Sequence, residues 1–496
     1  MTSDSETLDP ATSAQDDPTL NPDGAPPVGP EQPAPAPAAP DGAPAAVRHD
    51  FEDGTRLDLT IAGQSYPVFL LDKPAEILAE FLAASSTLAP GNIALICDEN
   101  TSELFGLRYE ADFIKNGFTV VVLTVPAGET TKSWDVAGQL VTALSNSGVG
   151  RADCIVALGG GMISDLSGFV ATVYERGLDL CLLPTTLLAL VDAAVGGKVA
   201  VNRDEAKNLA GAFKQPRAIA ADLSVLKSLT EVEYRSGLAE LVKTAILSGE
   251  DFLAFLEDHV DELRARDAVV LREAVVRAMC FKAQIVADDP YDKGLRACLN
   301  YGHTIGHALE QVSDYTIPHG LGVAEGMRFA ARLSVQLYGA SPEFVLRQDA
   351  LLDALGLAAL EVSDYRMSDL KDAMQRDKKN GAGEIRFVLV REPGVVGTAP
   401  VDTPVLFSHL RAWMGIKTYT PPEPPAEPEQ EAAAPADETS TEPEPNIQAP
   451  AGKRSDEQPP VGRDDPARLA RSKDQPGASP VEPKQEAAAP AEQDPA

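Results

Sequence analysis

With 75 acidic against 42 basic side chains in 496 residues, for a formal net charge of −33, the chain is poorly suited to nucleic acid or anionic membrane, and no basic stripe argues otherwise. Of its 40 prolines, 11 fall in residues 1–50 and 17 in 418–496. These flanks are Pro, Ala, Asp and Glu tracts with few large apolar residues, so they are expected to be disordered. They carry −8 and −10 of the charge, which leaves −15 on residues 51–417, enough chain for a two-domain core.

Cys97, Cys154, Cys181, Cys280 and Cys298 stand singly, without a CxxC pair. They read as free thiols in a reducing compartment, most of them behaving as small buried hydrophobes. The N-terminus has no basic stretch followed by an apolar one, so no secretory signal is expected. No run of about 18 apolar residues is present to span a bilayer. The expectation is a soluble, cytoplasmic protein.

In chain order, Leu57–Ile61 and Tyr66–Leu71 alternate and predict a hairpin around Gly63, and residues 73–84 have helical spacing. Ile93–Cys97 is an unbroken apolar run closing on Asp98-Glu99-Asn100, the pattern of a buried parallel strand. A helix over Leu104–Lys115, a strand over Thr119–Val125 and a helix over Trp134–Asn146 follow. Cys154–Leu158 is the next strand; Gly159-Gly160-Gly161 then opens a helix running to Tyr174, and Leu180–Leu183 is a strand closed by Pro184-Thr185-Thr186. This alternation predicts a parallel sheet with helices on both faces and ligands at the carboxyl ends of its strands. Beyond Asp222 helical spacing dominates, over Glu231–Leu247, Asp251–Glu262, Ala268–Asp288, Leu295–Val312, Val323–Tyr338 and Phe344–Leu355, with one late strand pair around Glu384–Val390. The fold class is therefore α/β: a parallel-sheet domain at 51–221, a mainly helical domain at 222–417, and disordered tails at 1–50 and 418–496. A cleft between the domains is the natural active site.

Three of the chain's six histidines, His303, His307 and His319, lie in one window beginning at Arg296. His303 and His307 are four apart and share a helix face, so both could ligate a divalent metal, or one could ligate while the other moves protons. Lys282, Arg296 and Asn300 just upstream point to an anion held beside the metal. Glu240 and Lys243 are three apart among apolar neighbours, and a buried acid needs a metal or a partner. Glu240, His303 and His319 would complete a three-ligand site with an open position, with Glu205 or Asp288 as the substitute acid. In the sheet domain, Gly159–Gly161 would let backbone N–H groups approach a phosphate at a helix N-terminus. Glu129 and Lys132, after another strand, could take ribose hydroxyls and suit a dinucleotide. Asp192 and Lys198 flank Gly196-Gly197, with Lys207-Asn208 following.

Taken together, Gly159–Phe169 (GGGMISDLSGF), Tyr174–Gly177 (YERG), Pro184–Lys198 (PTTLLALVDAAVGGK), Lys207–Phe213 (KNLAGAF), Ser236–Lys243 (SGLAELVK), Leu299–Glu310 (LNYGHTIGHALE) and the RDKK segment containing Lys378 and Lys379 resemble 3-dehydroquinate synthase, of the sugar-phosphate cyclase group. The resemblance spans about 98–380 and excludes the tails. It implies an NAD-binding N-terminal domain, a metal-binding C-terminal domain and a homodimer. It also implies 3-deoxy-D-arabino-heptulosonate 7-phosphate as substrate, with 3-dehydroquinate and phosphate as products. By matching positions, Glu240, His303 and His319 would bind Zn2+ or Co2+, and His307 would handle protons rather than ligate. Glu129, Lys132, Gly160, Gly161, Asp165, Thr185, Thr186 and Ser228 would contact NAD. Lys198, Lys207, Asn208, Lys243, Lys282, Arg296, Asn300 and one of Lys378/Lys379 would surround the substrate, Lys198 and Lys207 lying at the cofactor as well; Asp192 belongs to the same catalytic set. Arg176 would bind phosphate, reaching across the dimer.

One position departs from the family pattern. Members usually carry a Glu two residues after the metal-binding His of the His-Gly segment, where this chain has Leu321. Glu325 is the expected substitute carboxylate. The rival readings are a sister cyclase acting on a different sugar phosphate and a metal-dependent polyol dehydrogenase.

Overall fold

The computed structural model describes residues 44–72, 79, 82, 91–203, 206–376 and 384–415. Most of the helix expected over 73–84, together with Glu205, Lys378, Lys379 and nearly all of both flanks, lies outside the described residues. The first strand, β1 (Ala46–Phe51), begins inside the stretch read as tail, because it pairs antiparallel with β2 (Gly54–Ile61). β2 in turn forms the expected hairpin with β3 (Gln64–Leu71).

From β3 onward the sheet is parallel. It continues with β4 (Asn92–Asp98), β5 (Thr119–Val125), β6 (Cys154–Gly159), β7 (Asp179–Pro184) and β10 (Ala218–Asp222), in spatial order β1-β2-β3-β10-β7-β6-β4-β5. The antiparallel edge makes it a mixed sheet rather than a purely parallel one. Successive residues of a strand face opposite sides, and the core divides accordingly. Ala94, Ile96, Ile155, Ala157, Leu180 and Leu182 face one side, while Ile93, Leu95, Cys154, Val156, Cys181 and Leu183 face the other. Helix α1 (Leu107–Lys115), entered through a π turn at Ser102–Gly106, covers the second side with Tyr109 and Phe113. Helices α2 (Trp134–Asn146) and α3 (Gly161–Val173) cover the first.

An antiparallel pair, β8 (Lys198–Arg203) and β9 (Ala206–Phe213), was not legible in the sequence, and neither was β10. β8 is a short alternating run, whereas the small residues of β9 and β10 carry little alternation, and tertiary pairing supplies their strand conformation.

The helical half comprises α4 (Glu231–Ser248), α5 (Glu250–Asp258), α6 (Val260–Arg264), α7 (Ala268–Asp288), α8 (His303–Val312), α9 (His319–Tyr338), α10 (Pro342–Ala354), α11 (Met367–Arg376) and α12 (Thr403–Gly415). The segment expected as one helix over Asp251–Glu262 breaks at His259 into α5 and α6. That expected over Leu295–Val312 is a 3-10 turn (Leu295–Asn300) and then α8, parted at Tyr301 and by Gly302 at φ 81°. α9 begins at His319, four residues ahead of expectation, and α11 and α12 were not anticipated. The late strand pair is β11 (Arg386–Glu392) and β12 (Val395–Pro400).

Residues of α4 and α7 share one continuous core with the sheet face that bears α3, so the two halves are packed directly on each other. A separate cluster around Ile305, Phe329, Phe387, Leu406 and Trp413 backs α8 and α9 from the far side. Among the described residues no helix is long and apolar enough to cross a membrane.

Candidate active site

Three helices bring the metal candidates together. α4 starts at a capping box in which Thr230 and Glu233 bond each other's backbone N–H. It runs through the core with Glu240 and Lys243 fully buried one turn apart. α9 crosses it at Gly320, where an added Cβ would lie 2.3 Å from the Ser236 backbone, so only glycine permits this approach. His303 opens α8. Consequently His303 Nε2 lies 3.6 Å and His319 Nε2 3.4 Å from Glu240 Oε1, and the ligand atoms of the three residues fall within 4.8 Å of one another.

This donor set fits a dication. Glu240 Oε2 is 2.5 Å from Lys243 Nζ, yet neither carboxylate oxygen has a donor in hydrogen-bonding geometry. A buried carboxylate without such donors is costly unless a cation takes its place. Burial alone would raise the Glu240 carboxyl, but Lys243 and His303 more than offset it and hold it below the usual range. Burial, with Lys243 beside it, depresses His303 well below its ordinary value and so keeps the imidazole neutral, as a ligand must be. His319 is the opposite case: burial disfavours its charge, but the nearby carboxylates of Glu240 and Glu310 raise it to about 10.

His307 shares a face of α8 with His303, their rings 5.2 Å apart, and lies 5.9 Å from the His319 ring. The i, i+4 pair is thus adjacent, as its spacing predicts, but the three-residue cluster around Glu240 draws its second imidazole from His319. A further group that could hold an ion, His307, Glu310 and His319, shares one of those histidines. Of the substitute acids, Asp288 is exposed and bonds Gln284, away from both groups.

Cationic side chains surround the cluster. Lys282 binds both the carboxylate and the carbonyl oxygen of Asp192. Burial would raise the Asp192 carboxyl, but Lys282 and Lys243 hold it below its ordinary range. Arg296 is buried, with Nη1 3.3 Å from Pro290 O and Nε without a partner. Its loop is organised by Asp289, which accepts N–H bonds from Lys293, Gly294 and Arg296. Lys198 pairs with Asp292. Asn300 and His303 open onto a cavity of about 470 Å³ that Lys293, Thr304 and Arg386 also line. Arg386 lines this cavity but was not named from the sequence, because β11 lies some 80 residues from His303 and has no local motif. Glu310 was missed too, although it stands three residues after His307, on the same helix face.

In the sheet half, the Gly159–Gly161 turn lies at the carboxyl end of β6 and leads directly into α3. An added Cβ at Gly160 would meet Thr186 Cγ2 at 3.1 Å, so the turn forms a cradle lined by backbone. Thr185 N–H bonds Gly159 O, and Thr186 Oγ1 accepts from Ala189 N–H. Lys132 Nζ donates to Asp165 Oδ2 at 2.5 Å and to Asn208 Oδ1 at 2.6 Å, and Glu129 accepts from Asn202. Ser228, in the 3-10 turn after β10, donates to Val225 O. A cradle at a helix N-terminus with polar groups around it fits a dinucleotide pyrophosphate. Lys207 on β9 instead reaches the helical half, 3.2 Å from Glu310 Oε2.

Within one chain Arg176 is not part of this assembly. It is exposed at the far end of α3, roughly 20 Å along the helix from Gly160, and adopts φ 66° beside Glu175 at φ 50°.

Glu325 does not serve as the substitute carboxylate. It accepts from Leu360 N–H and Trp413 Nε1–H on another face of α9.

Residues 122–236 match the family model of the 3-dehydroquinate synthase N-terminal region, and 237–380 match that of the C-terminal region. A 3-dehydroquinate synthase from Dehalococcoides mccartyi is 38% identical over 339 residues, 68% of this chain and 93% of that protein. One from Halorhodospira halophila is 41% identical over 336 residues, 67% of this chain and 91% of that protein. Among solved structures, 2-deoxy-scyllo-inosose synthase complexed with carbaglucose-6-phosphate, NAD+ and Co2+ shares the fold, at 24% identity and TM-score 0.65 over 71% of this chain and 98% of that one. So does 2-epi-5-epi-valiolone synthase from Streptomyces hygroscopicus with NAD+ and Zn2+, at 23% identity and TM-score 0.65 over 71% of this chain and 97% of that one. The family models and relatives of this similarity, matched over most of their length, establish that the chain belongs to the 3-dehydroquinate synthase family.

Proposed function

We propose that this chain converts 3-deoxy-D-arabino-heptulosonate 7-phosphate to 3-dehydroquinate and inorganic phosphate, as a phosphate-eliminating lyase that uses NAD catalytically and a divalent metal, Zn2+ or Co2+. The observation that carries this reading is the cluster of Glu240, His303 and His319 at the centre of a ring of buried cations, in a chain of this family.

Glu240 Oε1, His303 Nε2 and His319 Nε2 would hold the metal, and the backbone of Gly160 and Gly161 would receive the dinucleotide pyrophosphate, with Glu129, Lys132, Asp165, Thr185, Thr186, Lys198 and Ser228 around the cofactor. When bound, NAD supplies reversible hydride transfer, and a dication acidifies hydroxyls and polarises a carbonyl. The chain's own residues do the rest. Lys243 and Lys282 are held between acids (Glu240 for the first, Asp192 for the second), so their charge sits in place before an anionic substrate arrives. Arg296 has an unpartnered Nε to offer an anion, and Lys198, Asn208 and Asn300 would complete the pocket for carboxylate, hydroxyls and phosphate. His307, beside the metal ligands without being one of the three, would carry protons between substrate oxygens. A homodimer would bring Arg176 of a second copy to the phosphate, consistent with its distance from the turn in its own chain. The reaction belongs in the cytoplasm, which suits five free thiols.

The test is incubation with substrate, Zn2+ or Co2+ and a trace of NAD. Phosphate should be released over many turnovers per NAD with no net NADH. Accumulating NADH would identify a polyol dehydrogenase instead. Turnover of a different sugar phosphate alone would identify a sister cyclase.

A further inference from the structure

We propose that Glu310, on α8, is the positioning residue for His319, in a chain that carries Leu321 where the usual family pattern has a carboxylate. The inference rests on the metal site of the preceding subsection. A histidine that gives one ring nitrogen to a metal keeps its proton on the other, and that N–H needs an acceptor to fix tautomer and ring orientation. His319 turns Nε2 toward Glu240 and places Nδ1 2.5 Å from Glu310 Oε1. Glu310 is 5% exposed, and Lys207 Nζ lies 3.2 Å from its other oxygen, so both oxygens are engaged. The Lys207 ammonium in turn sits 4.0 Å over the Tyr315 ring.

His303 provides the internal contrast. Its Nδ1 lies 3.2 Å from the backbone carbonyl of Tyr301, so of the two imidazoles only His319 is oriented by a charged group. Leu321, two residues past His319, is partly buried against the main core and offers no acceptor. Because Lys207 belongs to β9 and Glu310 to α8, the same carboxylate ties the metal ligand to a hairpin of the sheet half. His307, Glu310 and His319 could alternatively hold a second ion, but Glu310 already has one oxygen against His319 Nδ1 and the other against Lys207 Nζ.

The experiment is zinc titration of the full chain against a chromophoric chelator, with circular dichroism confirming that each variant is folded, and with Co2+ absorption spectra reporting ligand geometry. Glu310→Ala should weaken zinc binding about 10- to 100-fold and alter the Co2+ bands. Glu310→Gln keeps an acceptor oxygen and should lose less. Adding Leu321→Glu to Glu310→Ala should recover part of the affinity. The proposal is overturned if Glu310→Ala binds zinc within about twofold of the parent. It is also overturned if that variant loses a second zinc equivalent while the first is untouched, which would assign the group to another ion. If Glu240→Ala and the parent take up zinc alike, the metal-site reading itself fails, and this proposal fails with it.

Discussion

Around the Gly159–Gly161 turn of the sheet half, the named polar groups satisfy one another. Lys132 is held by Asp165 and Asn208, Thr185 bonds across to Gly159, and Thr186 caps the turn after it. In the helical half, Glu240 reaches the interior with neither oxygen properly donated to, and Arg296 leaves Nε without a partner. The first region is complete as folded and offers a ligand mainly backbone and space. The second holds buried charge whose hydrogen-bonding capacity the chain itself leaves partly unfilled. A site that uses shape can be built from self-satisfied groups, whereas a site that binds a dication and an anion must keep buried charge in reserve.

That contrast is sharpest at Glu240. Glu240→Gln should weaken zinc binding more than 100-fold and abolish measurable phosphate release, since one of three ligands loses its charge; NAD affinity should hold. If this variant binds zinc like the parent, the reserve of charge serves something other than a metal. The reciprocal test is Gly160→Val, which fills the cradle against Thr186. It should weaken NAD binding by about tenfold or more, roughly 1.4 kcal/mol, measured by fluorescence titration, and leave zinc binding unchanged.

Lys132→Met asks whether the sheet half is as self-contained as it looks. Burial raises the Asp165 carboxyl even with Lys132 against it, so Asp165 can protonate when its partner is removed. The loss should therefore be modest, about 1–3 kcal/mol in urea unfolding. A larger loss would mean that Asp165 stays charged.

Asp289 brings pH into the comparison. Burial would raise its carboxyl, but the three backbone N–H groups it accepts lower it from 3.8. A depressed carboxyl contributes stability above that value and loses it as pH falls below 3.8 through the folded-state value. Asp289→Asn should cost about 1–3 kcal/mol at neutral pH and flatten this acid limb of the stability curve. An unchanged limb would assign the acid sensitivity to other carboxylates. The smallest expected effect is on metal binding in Glu325→Gln. Because Glu325 bonds Leu360 and Trp413, zinc affinity should stay within about twofold.

How much of this was legible follows the same divide. The Gly159–Gly161 turn, its flanking strands and Trp134–Asn146 were readable because each is a contiguous run whose period and punctuation are local. The helices of the second half were visible where apolar residues recur at helical spacing. α9 was read as starting late because Gly320 and Gly322 are poor helix formers, and only packing against α4 and α8 makes helix the better state there. The spacing of His303 and His307 was read correctly as one face, but spacing could not choose between His307 and His319 as the second imidazole beside Glu240. Glu310 and Glu325 were equally available on paper as the carboxylate replacing the one missing at Leu321.

By itself the chain's order of residues determined the sheet strands, the phosphate-sized turn and the set of side chains able to hold a dication, since these depend on neighbours a few positions apart. Only the tertiary structure decided which imidazoles meet Glu240, which acid lies against His319 and which cations line the cavity. Those choices depend on how three helices cross at glycine contacts between residues dozens of positions apart, and no local period carries that information.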